Sequence, residues 1–133
     1  MKKLIFLCTF ILLIPLCLGM GSNNSMDNIP KTAKNFKATF IDQTDISAEC
    51  TEVSIDGKTF LEGKKGEGVY TINFENIKNI SVLNSNGILK GLVRLKDGNS
   101  LEIILIKDQK AYGRTKYGAF QIKLNDLKKI LFQ

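Results

Sequence analysis

Histidine is absent from this chain of 133 residues. With it go the commonest general base near neutral pH and the commonest metal ligand. Ser-His-Asp and Cys-His triads and histidine-based zinc sites are therefore excluded. Cysteine is nearly as scarce: Cys8 and Cys17 fall in the opening apolar run, which leaves Cys50 alone in the rest of the chain. One cysteine closes no internal disulfide, so stability has to come from core packing. Helical periodicity is missing too, because no stretch beyond the opening run sustains it for more than a turn or so.

What is present at the start is an export signal. Met1-Lys2-Lys3 precedes an apolar run from Leu4 to Leu18, broken only by Thr9 and Pro15. Two lysines ahead of ~15 apolar residues match a signal peptide, and the run is shorter than the ~20 residues a membrane span needs. Small residues place cleavage after Gly21 or after Gly19. Lipid attachment at Cys17 is the rival, and the bulky Leu16 just before it argues against that processing. The expectation is a bacterial protein exported to the periplasm or the cell exterior, touching membrane only through this segment if it stays uncleaved or lipidated.

Cleavage leaves about 112 residues, enough for one domain with one core. The mature chain keeps seventeen basic against thirteen acidic residues, a net charge of +4 with both signs interleaved. A nucleic-acid partner would call for clustered Lys and Arg, so none is expected. Residues 1–21 read as the signal, 22–34 as a flexible polar linker containing Pro30, and 35–133 as a single domain.

That domain reads as all-β: a small antiparallel sandwich or barrel of nine or ten short strands, preceded by the signal-peptide helix. Phe36, Ala38 and Phe40 alternate with polar neighbours, as do Ile46, Ala48 and Cys50. The phase then slips to Val53 and Ile55, which predicts a bulge near Thr51-Glu52. Asp56-Gly57 and Asp97-Gly98 are hairpin signals, since a type I′ turn needs positive φ at both central residues. The continuous run Ile103-Ile104-Leu105-Ile106 predicts a central strand buried on both faces.

The domain also repeats itself. Residues 68–82 (GVYTINFENIKNISV) align without gaps on residues 118–132 (GAFQIKLNDLKKILF). Each copy reads as a strand, a tight polar turn at Glu75-Asn76 or Asn125-Asp126, an apolar residue dropping into the core (Ile77 or Leu127), and a closing strand. With an Asp-Gly hairpin ahead of each, the pseudo-repeat units run over about 46–84 and 88–133. Neither half buries much core alone, so the two are expected to pack together. The strand-turn-strand pattern resembles the close of small SH3-like and Sm-like barrels. It brings no family motif, and no function follows from it.

Chemistry-bearing residues are sparse. Cys50 lies on an apolar phase and reads as an inert buried thiol. The carboxylates are scattered, with no spacing that singles out a catalytic pair. Asp42-Gln43-Thr44-Asp45 lacks the glycine and terminal glutamate of a calcium loop and reads as a turn. Neither a metal nor a cofactor is implied. The best binding candidate is the segment 110–118, where Tyr112 and Tyr117 interleave with Arg114 and Lys116. That mixture suits stacking with anion contact, although ordinary cross-strand pairs would look the same. The expectation is a non-enzymatic exported domain that binds or scaffolds an envelope protein or polymer. A glycan- or anionic-polymer-binding module comes second, and a weak hydrolase is a distant third.

Overall fold

The structure is a computed structural model that describes residues 29–133. The expected signal peptide, with Cys17 and both cleavage points, and the linker as far as residue 28 lie outside the described residues. The domain is all-β, built from ten antiparallel strands in one sheet that curls into a half-barrel. In chain order the strands are β1 (Ala38–Asp42), β2 (Ser47–Ile55), β3 (Phe60–Lys65), β4 (Gly68–Asn73), β5 (Ile77–Ser85), β6 (Ile88–Leu95), β7 (Ser100–Leu105), β8 (Lys110–Thr115), β9 (Gly118–Lys123) and β10 (Leu127–Phe132). Short 3-10 turns, Phe74–Asn76 and Leu124–Asp126, precede β5 and β10.

The order across the sheet is β4-β3-β7-β6-β5-β10-β1-β2-β8-β9. Read from either edge, corresponding strands appear in the same sequence, so β1–β5 and β6–β10 are related by a pseudo-dyad between β5 and β10. The relation reaches individual hydrogen bonds. Phe74 N–H donates to Thr59 O (3.0 Å), as Leu124 N–H donates to Gln109 O (3.0 Å). Lys96 N–H donates to Asn76 O (2.9 Å), as Gln43 N–H donates to Asp126 O (3.1 Å). Equivalent pairs such as Gly63 and Gly113 are fifty positions apart in β3–β5 against β8–β10. Pairs such as Cys50 and Ile103 are fifty-three apart in β1–β2 against β6–β7. One of the three surplus residues is absorbed in β2, where the pairing to β8 slips between Thr51 and Ser54 and Glu52 takes φ 52°, and the other two fall in the turn that follows Ile55. This is the bulge that the slipped apolar phase predicts.

The two halves are interwoven. β2 pairs with β8 and β7 pairs with β3, so each side of the sheet takes strands from both halves. This corrects the reading of Asp56-Gly57. Its tight turn forms, with φ 52° and 84° and reciprocal Ile55–Lys58 backbone bonds of 2.9 Å, yet Lys58 precedes β3 and no ladder joins β2 to β3 among the described residues. Asp56 is instead stitched to β8, its N–H donating to Lys110 O (2.9 Å) and its Oδ1 accepting from Lys110 N–H (3.2 Å). The turn is a crossover, and it is not equivalent to Asp97-Gly98, which closes the true β6–β7 hairpin.

Close packing enforces the exchange. A Cβ on Gly63 would lie 2.6 Å from Ile103 Cδ1, and one on Gly113 would lie 2.6 Å from Cys50 Cβ. Each glycine thus lets a strand from one half lie against a strand from the other. On the concave side lies a single core that includes Phe40, Leu61, Phe74, Ile77, Ile80, Val93, Ile103, Leu124, Leu127 and Ile130. Phe74 meets Phe36 edge-on (5.5 Å) and Phe132 at a tilt (4.8 Å), while Phe40 stacks on Phe120 (5.7 Å). Aromatic pairs of this kind add to the stabilisation that burial alone provides.

Two further expectations need correction. Ile46, placed on the apolar phase with Ala48 and Cys50, stands on the β1–β2 loop at 64% exposure. β7 is indeed flanked on both edges, by β3 and β6, but Ile104 and Ile106 face outward and are exposed. In a sheet with its core on one side, only alternate residues reach that core.

Candidate functional site

The hairpin of β8 and β9 turns through Thr115 to Tyr117 beside the first residues of β2, past the pair of Arg114 and Thr51 that joins β8 to β2. Between them lies a groove of about 1090 Å³, lined at its outer margin by Lys37, Glu49, Thr51, Arg114, Lys116 and Tyr117, with Cys50 and Phe120 below. Local structure fixes the tip. Thr115 Oγ1 donates to Gly118 O (3.0 Å) and accepts from Tyr117 N–H (3.0 Å), and Gly118 takes φ 128°. Tyr117 is left 87% exposed, with the Lys116 ammonium 5.2 Å from the centre of its ring.

Three of the four binding residues singled out in the sequence meet here. Arg114 is half-buried, and its Nε donates to Glu52 Oε2 at 3.1 Å across to the β2 bulge. That bond holds the guanidinium beside the groove. Tyr112 is not among the lining residues. It sits mid-strand opposite Ser54 and Gln121, half-buried on the same outward face of β8 as Arg114. Lys37 and Glu49 were not marked by the sequence, because they come from the residue before β1 and from β2 and nothing local makes them neighbours of the hairpin.

Cys50 forms part of the groove floor. Burial pushes its thiol up to about 11, so the nucleophilic thiolate is suppressed at neutral pH. Asp42 differs: its carboxylate is held below the usual range, first by the Thr44 hydroxyl (2.7 Å), with further bonds from Ile46 N–H (3.0 Å) and Thr44 N–H (2.8 Å). Its oxygens serve a loop. A shallower depression of about 400 Å³ has Glu75 and Asp97 in its wall, both already engaged. Glu75 pairs with Lys34 (2.6 Å), and Asp97 accepts from the Asn99 N–H (2.8 Å) and side-chain amide (3.1 Å).

The chain belongs to a family described as an uncharacterised protein, whose model matches residues 32–133. No curated protein and no solved structure matches it. The matched region begins ahead of β1 and includes Lys34, whose ion pair to Glu75 ties that segment to the first 3-10 turn. It contains both halves of the sheet and the whole groove.

Proposed function

We propose that this is a non-enzymatic binding domain of the bacterial cell envelope, exported by its leader, whose groove holds an extended anionic or glycan polymer. The observation that carries the reading is the convergence of Arg114, Lys116 and Tyr117 with Lys37 on one groove of about 1090 Å³. An exposed aromatic ring can stack on a sugar or a flat group, while Lys37, Lys116 and Arg114 against Glu49 and Glu52 leave a net positive charge that favours an anion. Glu49 is the one acidic side chain in the lining among the described residues, whereas glycoside hydrolysis works with two opposed carboxylates. Binding suits this lining better than hydrolysis does. A scaffolding role toward an envelope protein is the broader form of the same reading.

The test compares retention of wild type, Tyr117→Ala and Lys116→Ala on immobilised dextran sulfate and on uncharged dextran. Both side chains are solvent-facing, so the variants keep the wild-type thermal midpoint. The expected outcome is weaker retention of both on the charged matrix, by roughly fivefold each, the size of an exposed cation–π or charge contact. Equal retention of all three proteins would sink the groove reading.

A further inference from the structure

We propose that the outer face of β4-β3-β7-β6-β5 is a docking surface for an anionic lipid bilayer. The cross-strand register sets five residues in one row over five adjacent strands: Val69, Lys64, Ile104, Lys90 and Leu83. Val69 is 60% exposed, Ile104 45% and Leu83 62%. Leu92 stands one row along, diagonal to both Ile104 and Leu83, opposite Ser81 and Glu102. Ile88 extends the aliphatic side chains at the start of β6.

The other half of the molecule is an internal control. The pseudo-equivalent row is Ala119, Arg114, Thr51, Lys37 and Gln133, in the same register through β9, β8, β2, the residue before β1 and the residue after β10. Both cationic positions are kept, with Arg114 for Lys64 and Lys37 for Lys90. Every aliphatic position has become small or polar, and Thr39 stands for Leu92. The same fold is therefore built without Val69, Ile104, Leu83 and Leu92, so their exposure answers to something other than the architecture. Small side chains leave the groove open on one half, whereas on the other half branched side chains stand up between the cations.

Charge and side-chain type select the occupant. Lys64 and Arg94 form no ion pair among the described residues, and Lys90 reaches Glu102 only at 3.7 Å. A second copy docking through this face about a two-fold axis would set these cations against themselves. A protein partner would be expected to meet an aromatic anchor, and this row has none. A bilayer accepts both components: methyl groups enter the acyl boundary, while lysine stems lie along it and keep their ammonium groups among anionic headgroups. The sequence reading confined membrane contact to the leader, and this face adds a second contact. It is independent of the polymer groove, with which this row shares no residue.

The chain has no tryptophan, so Leu83→Trp supplies a single local reporter. The protein, with its own processed N terminus, is mixed with vesicles of phosphatidylcholine alone or of phosphatidylcholine with phosphatidylglycerol. The expected result is a blue shift of emission, with quenching by brominated acyl chains, on the anionic vesicles only and lost at high salt. In that background Lys64→Gln with Lys90→Gln weakens partitioning by roughly twenty-five-fold, about fivefold per lysine, with the thermal midpoint kept. Gln121→Trp, exposed on the pseudo-equivalent half and outside the groove lining, stays unshifted. The proposal is overturned by no shift at position 83 with anionic vesicles, by an equal shift at position 121, or by a shift without lipid that grows with protein concentration. That last outcome would assign the face to a second copy.

Discussion

Ile80 and Ile130 lie directly opposite one another where β5 pairs with β10, on the pseudo-dyad that relates the two halves. Both are buried. They occupy the same position in the two repeats, so one side chain meets its own counterpart at the seam.

Because the seam is self-paired, the two isoleucines should be interchangeable in energetic terms. Ile80→Ala and Ile130→Ala are each expected to lower unfolding free energy by about 3 kcal/mol, the usual cost of a cavity at a packed aliphatic site. Neighbours across strands share a cavity, so the double variant should depart from the sum by about 0.5 kcal/mol or more. Chemical denaturation of the four proteins measures this. A large loss in one single variant and none in the other would contradict an equivalent seam.

Gly113→Ala tests the interweaving. The added Cβ would fall 2.6 Å from Cys50 Cβ and 3.3 Å from Thr51 O, so β8 has to move off β2. A loss of about 2 kcal/mol is expected, in the range of overpacking. Gly63→Ala should behave alike, since its Cβ would meet Ile104 O at 2.9 Å. By contrast Gly66→Ala meets no atom within 4 Å and loses only the ease of its positive φ. Equal losses at all three sites would mean that the close approach is unimportant.

The Cys50 thiol gives a pH signature. Its value rises from 9.0 to about 11 in the folded state, because burial disfavours the thiolate. Below pH 9 the thiol is neutral in both states and adds no slope. Between pH 9 and about 11 the unfolded state loses a proton that the folded state keeps, so stability falls as pH rises. The difference between wild type and Cys50→Ala should carry that slope, and a flat difference over the interval would refute it. Native protein should also resist thiol reagents at pH 8 until it unfolds.

Gln109 is buried, and its Oε1 has no hydrogen-bond partner among the described residues. Replacing it with methionine keeps the length and removes the unmet acceptor. Gln109→Met is expected to raise stability by about 1 kcal/mol, read as a higher thermal midpoint. A lower midpoint would show that a water satisfies this oxygen.

At the acid end, Asp42 works in the opposite direction from Cys50. Its folded carboxyl titrates below the ordinary 3.8, held there by Thr44 and Ile46. The contribution is present above that ordinary value and is lost as pH falls through the lower folded one. Asp42→Ala should therefore lower the midpoint at neutral pH, and the gap to wild type should close in strong acid. A gap that persists there would point to a cause other than the carboxylate.

Much of the fold was legible because its signals are local. Alternation from Phe36 onward marks strands, since successive side chains in a strand point to opposite faces. The repeat at 68–82 and 118–132 corresponds to β4-turn-β5 and β9-turn-β10, where Phe74 and Leu124 are buried in matching 3-10 turns. The hairpin carrying Arg114, Lys116 and Tyr117 was likewise readable as a mixed aromatic and basic tip. Its partners across the groove, Lys37 and Glu49, were not, because they are brought there by pairing over sixty or more residues of chain.

The sequence by itself determined that this chain folds into short strands, where those strands turn, and that the second half repeats the first. Period-two alternation and turn chemistry act within a few residues, so they are written into each segment. Only the tertiary structure decided that β2 lies beside β8 and β7 beside β3, which turned Asp56-Gly57 from a hairpin into a crossover. It also decided that the core of the described residues lies on one side of the sheet, leaving Ile104 and Ile106 outside it. A strand's backbone offers the same hydrogen-bonding edge to any neighbour, so pairing is selected by how all the side chains pack at once. That selection, rather than any local motif, separated a polar groove on one half from a row of lysines and branched aliphatics on the other.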